Sequence, residues 1–310
     1  MTVKRLISNN RRIKNAIVMV SFFFCVFVLI SYGNDAKNSI IYGIKLSAFS
    51  VIPSIFPFFI LSDFLVGFYK DIESALSKIF NKTFKISISA YPTFIIGNLC
   101  GFPLGVKYAS QLYINRRITK SECEKLCVMT NNPSLAFVIS GVGAGMRGSV
   151  KEGFILYILT LLSSFIIGFF TKSASINFEY SKDNSEQTFD FSLTVKNAIY
   201  SSLNVSAYII FFSALLGLFY AITRNAALTM LISPFFEIGN AAMLISGSNV
   251  LPRAVSFSLT AFSLGFSGLS VFMQATSFLP KEISRIKIFL SKLLQGILCA
   301  TLAYIIYIYI

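Results

Sequence analysis

Charged residues in this chain fall between long apolar stretches and rarely interrupt them. Uncharged runs cover Ala16–Tyr32, Leu46–Ser62, Ile86–Val106, Leu126–Met146, Gly153–Thr171, Asn197–Thr223, Ala254–Pro280 and Leu293–Ile310. None shows the strict apolar–polar alternation of a membrane barrel strand. A run of about 20 apolar residues spans a bilayer as a helix, so the pattern predicts an all-α polytopic membrane protein with about 7–9 membrane segments.

Two of these runs carry breaks. In Gly97-Asn98-Leu99-Cys100-Gly101-Phe102-Pro103-Leu104-Gly105-Val106-Lys107, three glycines at four-residue spacing and a proline weaken any helix. The spacing fits either a small-residue packing face or a break that leaves unpaired N–H groups at the start of a half-helix. Such an end suits an anion, and Lys107 either adds charge to that pocket or snorkels to the interface. Thr130-Asn131-Asn132-Pro133-Ser134 interrupts Leu126–Met146. Two amides before a proline are costly in lipid without partners, and the residue before proline avoids helix. This reads as a second discontinuous helix, with Gly141, Gly143 and Gly145 as a flexible exit. Backbone broken at membrane depth is tolerated only where it is buried in protein or lines a cavity. Pro53 and Pro57 predict either a kinked helix or an unwound stretch.

The polar stretch 173–195 divides the chain. Residues 1–39 read as a cytosolic tail and first transmembrane helix, 40–172 as a first half and 196–310 as a second. The halves are weakly related. Phe58–Tyr69 lines up with Ile209–Tyr220, and Gly101-Phe102-Pro103-Leu104-Gly105 finds an echo in Gly265-Phe266-Ser267-Gly268-Leu269. Paired interrupted segments flank the binding site in many transporters. The basic loops 70–85 and 116–125 both predict a cytosolic side. Residues 86–113 would then enter and leave as a re-entrant hairpin. The basic stretch 281–292 should be cytosolic too. Inverted repeats would place some of these loops on opposite sides, and the local charge rule is preferred.

Of the 310 residues, 55% are hydrophobic and 13% charged, against roughly 25% charge in a soluble domain. The net charge of +14 sits in loops between apolar segments, which is a topology signal rather than a nucleic-acid surface. The basic N-terminus before Ala16–Tyr32 resembles a signal peptide, but Ser31-Tyr32-Gly33-Asn34 is a poor cleavage site, so an uncleaved helix is expected. Cys25, Cys100 and Cys299 read as buried hydrophobes. Cys123 and Cys127 lie one turn apart in a chain with no histidine, so neither metal nor disulfide is expected. Thr119-Lys120-Ser121-Glu122 is a capping box.

Glu237 is the most isolated acid, and an intramembrane carboxylate is a functional hypothesis by default. It could pair with Arg253 or Lys107, or bind a coupling proton or sodium ion. Asp63 is a second candidate, and Ser267, Ser270 and Gln274 add neutral polar groups. No catalytic set and no nucleotide-binding loop are present, so neither enzyme activity nor a cofactor is expected.

These residues carry a resemblance. Pro53-Ser54-Ile55-Phe56-Pro57-Phe58, Gly97 through Gly105, Asn131-Asn132-Pro133 with Phe137 through Gly141 to Gly143, Glu237-Ile238-Gly239-Asn240, and Gly265 through Val271 with Gln274 resemble the YlbJ-type (SpoVV-like) sporulation integral membrane proteins. That family in turn resembles nucleoside-transporter gate domains with paired hairpins. The resemblance covers most of the chain after about residue 40. It implies export of dipicolinic acid from the mother cell across the outer forespore membrane of a spore-forming bacterium. Dipicolinate is a planar dianion, which a half-helix N-terminus and a nearby lysine would suit.

The expectation is therefore a transporter of a small organic anion, in contact with lipid and not with nucleic acid. Its substrate site would draw on Asn98, Gly101, Phe102, Pro103, Gly105, Lys107, Asn131, Asn132, Ser267, Gly268 and Gln274. Glu237, Asp63 and Arg253 are the coupling or charge-pair candidates. A nucleoside or related metabolite carrier is the alternative of the same class, and a non-transporting membrane scaffold for sporulation proteins the alternative of another.

Overall fold

The computed structural model describes residues 30–68, 75–173 and 190–309, with Met19 and Phe27 besides. The run Ala16–Tyr32 therefore lies almost wholly outside the described residues, as does most of the 173–195 divider. All regular structure among the described residues is helical.

The first half begins with one long helix. It comprises α1 (Gly33–Leu46), a π-helical turn (Ser47–Val51) and α2 (Ile52–Phe68). The prolines do not unwind it. The wider π turn lies just before Pro53 and takes up the register that a missing donor disturbs. Next come the short α3 (Ala75–Phe84), a 3₁₀ turn (Ile88–Ala90), α4 (Tyr91–Cys100) and α5 (Leu104–Ile114). Helices α4 and α5 pack against each other as a hairpin, so Ile86–Val106 is not a single crossing. Chain reversal falls at Gly101-Phe102-Pro103, where Gly101 has φ +82°, a conformation open mainly to glycine. Gly97 and Gly105 face each other across the hairpin, and a Cβ on either would collide with Thr130. Both readings of the glycine spacing are thus realised, one at the turn and one on its two arms.

Helix α6 (Lys120–Thr130) starts at the expected capping box: Glu122 N donates to Thr119 Oγ1 at 3.2 Å, and Thr119 N to Glu122 Oε2 at 2.7 Å. It stops before Asn131-Asn132-Pro133, and the chain resumes in the π-helical segment Phe137–Met146. The three glycines of the expected flexible exit lie in that segment, with Gly143 pressed against Gly153. Helix α7 (Val150–Phe170) closes the half.

The second half repeats the order. A long helix, α8 (Phe191–Thr223), is followed by a hairpin of α9 (Ala226–Phe236) and α10 (Ile238–Ser246). A broken helix comes next, α11 (Arg253–Phe266) and α12 (Gly268–Ser277), interrupted at Ser267. The half ends in a long helix, α13 (Arg285–Tyr309). Polar caps set the starts: Asp190 accepts from Leu193 N at 3.1 Å and Asn225 from Leu228 N at 2.9 Å.

The halves run in opposite directions. At one end of the molecule Ser173 Oγ donates to Lys85 O, and the Lys287 ammonium meets Glu124 at 2.9 Å. At the other end Asp35 meets Arg224 at 3.1 Å, and Arg147 reaches Ser256 and Thr260. The α4–α5 hairpin therefore opens at the first end and the α9–α10 hairpin at the second. Helices α6 and α7 cross in the reverse sense to their counterparts α11–α12 and α13. Position in this order pairs the Gly101–Pro103 turn with Glu237, and the Asn131–Pro133 gap with Ser267. The echo of Gly101–Gly105 in Gly265–Leu269 instead joins a hairpin turn to a broken helix, so it is not the structural repeat.

Among the described residues four stretches are long and apolar enough to cross a membrane: Val150–Phe170, Phe191–Thr223, Arg253–Ser277 and Arg285–Tyr309. Their outer faces expose Ile158, Leu162, Leu203, Phe211, Met273, Leu290, Leu294 and Ile305. Large apolar side chains at helical spacing on an outer surface belong in lipid, and the chain is an integral membrane protein.

Candidate functional site

Both hairpin turns and both broken helices meet at one cavity inside the helices. Cys100 and Phe102 come from the first turn and Glu237, Ile238 and Gly239 from the second. Ser134 and Phe137 come from the gap after α6, and Val271 and Gln274 from α12. The long helices close it with Val51, Ile55, Val205 and Ile209. The lining is mostly apolar. The cavity is narrow, about 40 Å³, which is room for roughly three water molecules.

Its polar side chains are mainly acceptors, with the Ser134 hydroxyl able to donate as well. Glu237 is 2% exposed and caps α10, accepting from Asn240 N at 2.6 Å and from Asn240 Nδ2 at 2.9 Å. Asn240 is held in turn by a hydrogen bond to Ser213 Oγ at 2.8 Å, so α8 fixes the second turn. Gln274 gives its Nε2 hydrogen to Ser270 Oγ, while its Oε1 is buried without a partner. No lysine or arginine is among the lining residues.

The amides of the first half serve a different purpose. Asn132 Nδ2 donates to Asn98 Oδ1, Met129 O and Ser164 Oγ, and Asn132 Oδ1 accepts from Gln295 Nε2 at 2.8 Å and Lys292 Nζ at 3.3 Å. Asn98 also donates to Phe94 O and accepts from Tyr157. These contacts form a buried polar hub behind the cavity wall. Phe102 N donates to Asn132 O at 2.8 Å, which seats the first turn against the first gap.

Of the residues expected to bind substrate, the structure brings Phe102 and Gln274 to the cavity, and Glu237 with them. Gly101 and Gly105 act as close-contact positions against Ser134 and Thr130. Pro103 precedes α5 in the turn, and Asn98, Asn131 and Asn132 belong to the hub. Ser267 and Gly268 form the second break with φ of +70° and +77°; Gly268 abuts the carbonyls of Pro234 and Phe236. Lys107 lies outside the lining, its ammonium 6.0 Å from the Phe59 ring centre and 5.4 Å from that of Tyr108. Arg253 is exposed at the start of α11, away from buried Glu237. The side chain of Asp63 lies outside the described residues.

Two important residues were not singled out by sequence reasoning. Lys292 and Gln295 sit inside α13, 2% and 0% exposed, yet Lys292 closes the stretch 281–292 assigned to a cytosolic loop. The available signal was periodicity: Ile288, Lys292, Gln295 and Cys299 follow helical spacing and share a buried face. Among the described residues no group of three or more His, Cys, Asp or Glu side chains could hold a metal ion. Cys100, Cys123, Cys127 and Cys299 are buried free thiols.

The chain is similar to the sporulation integral membrane protein YlbJ of Bacillus subtilis (strain 168). The two are 27% identical over 334 aligned positions, which cover 92% of this chain and 81% of the relative. No family model matches the chain, and no solved structure matches it.

Proposed function

We propose that this chain, a homologue of the YlbJ-type sporulation integral membrane proteins, is a secondary transporter of a small organic acid, dipicolinic acid first, in the outer forespore membrane. One observation carries the reading. Two hairpin turns and two broken helices, from halves of opposite direction, converge on a single buried cavity. Inverted repeats with interrupted helices around a central site are the architecture of alternating access. The cavity is too small for dipicolinate or a nucleoside, so loading requires the turns to separate from α2 and α8.

In this reading the described residues make six crossings and two re-entrant hairpins. The crossings are 33–68, 120–146, 150–170, 191–223, 253–277 and 285–309. The hairpins are 91–114 and 226–246. The end bearing Lys85, Arg116, Arg117, Lys120, Lys172, Lys281, Arg285 and Lys287 faces the cytosol by the positive-inside rule. Charge rule and inverted symmetry then agree, because a re-entrant hairpin returns its second basic loop to the side of its first.

The substrate's charge needs a partner. An anion placed beside Glu237 and Gln274 Oε1 meets two acceptors and no lining cation, with the Ser134 hydroxyl as a neutral donor, so it enters protonated or together with a cation. Glu237 is the residue for a coupling proton or sodium ion. The same acceptor-rich lining gives the nucleoside reading its support, since a neutral solute rich in N–H and O–H donors would satisfy both groups.

Uptake of labelled dipicolinate into proteoliposomes holding the purified protein tests this, under proton and sodium gradients and with nucleosides as competitors. Saturable dipicolinate uptake is the expected result. Uptake of nucleosides in its place selects the second reading. Absence of saturable flux for both removes the transporter assignment and leaves a scaffold.

A further inference from the structure

Lys292 is buried within α13, and its ammonium has three oxygen partners, none of them a carboxylate. They are Asn131 O at 2.7 Å, Gln295 Oε1 at 2.8 Å and Asn132 Oδ1 at 3.3 Å. Two of the three come from the gap of the first broken helix. Asn131 is the residue on which α6 ends, so its carbonyl belongs to the negative end of that helix dipole. A buried charge without such compensation is costly. Neutral oxygens gathered at the carbonyl end of an interrupted helix are how transporters hold a bound cation.

We propose that Lys292 is a tethered cation filling a monovalent-cation site of the first broken helix, contributed in trans by the second half. The site's chemistry is that of potassium or ammonium: neutral oxygens at ammonium–oxygen distances, with no anionic ligand to favour a divalent ion. The lysine makes occupancy permanent, so this position takes no exchangeable ion in the native chain. Its charge also ties α13 to the gap after α6, across the boundary between the halves. The Asn131 Oδ1 atom, buried without a partner, is a further oxygen at the same gap.

The test is chemical rescue of the full chain in nanodiscs, read as thermal unfolding, so that it stands whether or not the protein carries a solute. Lys292→Ala removes the tethered charge and vacates its stem. Lys292→Met removes the charge but keeps the stem. Unfolding is followed in potassium, ammonium, sodium and choline chloride at constant ionic strength. The native chain should show one Tm in potassium, ammonium and choline; a rise in sodium alone would report an ion at Glu237 and not at this site. Lys292→Ala should lose Tm in choline and regain most of the loss, saturably, in potassium or ammonium, with sodium weaker. Lys292→Met should be lowered in every salt alike. A Lys292→Ala protein indifferent to the cation, or one that cannot be recovered folded in potassium, overturns the proposal. So does a Lys292→Met protein as stable as the native chain.

Discussion

The main chains of Phe102 and Asn132 are hydrogen-bonded, with the Phe102 amide donating to the Asn132 carbonyl at 2.8 Å. This bond brings the turn of one element into the gap of another. A hairpin turn and an interrupted helix each leave main-chain groups without intrahelical partners, and here each supplies one to the other. The join also has no spare volume, since a Cβ on Gly101 would strike the backbone nitrogen of Ser134.

Gly101→Ala is therefore expected to cost about 2–3 kcal/mol, from overpacking added to an unfavourable positive φ. Thermal or denaturant unfolding of the purified protein reads the loss. Gly148 has a similar φ of +68°, yet nothing lies within 4 Å of its would-be Cβ. Gly148→Ala should thus cost about 1 kcal/mol, from the backbone alone. Equal losses at the two positions would show that the turn does not press on the gap.

Asn132 is 0% exposed and satisfies groups on α4, α6, α7 and α13 at once. Truncation to Ala leaves Asn98 Oδ1 without its donor and the Gln295 amide without one of its acceptors. Each buried group so stranded costs about 1–3 kcal/mol, so a total near 3–5 kcal/mol is expected. Asn131→Ala removes a side-chain oxygen that has no partner and keeps the carbonyl that Lys292 uses. It should cost less than half as much in the same assay.

The sequence pattern was informative where local chemistry decides the outcome. Glycine and proline at 101–103 and Asn-Asn-Pro at 131–133 place both breaks of the first half, because missing donors and absent side chains act on their own turn. The capping box at Thr119 is legible for the same reason. Roles that depend on distant partners were not. Nothing local tells whether Asn132 faces a solute or a lysine 160 residues away, and the hub took it. Lys107 ends its uncharged run as a pocket lysine would, but the hairpin turns it toward Phe59. Lys292 sits among loop-like cations, and only the buried face of α13 reveals it. The direction of the halves stayed open because the basic loops read as lying on one side while an inverted repeat read as needing opposite ones; the flanking basic loops pointed to the first hairpin, and nothing comparable pointed to the second, 226–246.

Glu237 lines the cavity and Lys107 does not, and the two substitutions should separate accordingly. Glu237→Gln keeps an oxygen able to accept from Asn240 N, so the α10 cap and the fold persist. What it removes is the charge that a coupling cation or proton would answer. Uptake driven by an ion gradient should fall at least about tenfold, equivalent to 1.4 kcal/mol or more, while exchange without a gradient persists. Lys107→Ala should change kcat/KM by less than about twofold, because its ammonium lies against the Phe59 and Tyr108 rings and not in the lining. Proteoliposome flux with and without the gradient distinguishes them. A larger loss at Lys107 than at Glu237 would move the solute out of this cavity.

Opposite direction of the halves has a consequence that needs no substrate. Both mouths of the first hairpin, near Lys85 and Arg116, lie at the end carrying most of the cations, and both mouths of the second, near Arg224 and Arg253, lie at the other. Single cysteines at Arg116 and Arg253, in a chain whose own five cysteines are replaced by serine or alanine, should react with an impermeant maleimide from opposite faces of the membrane. Arg116→Cys should label only once the cytosolic face is opened, and Arg253→Cys in intact cells or right-side-out vesicles. A parallel duplication would bring both positions to one face, because each follows the corresponding hairpin or precedes the corresponding broken helix. Labelling of the two from the same side would therefore refute the inverted repeat, and with it the symmetry on which the proposed alternating access rests.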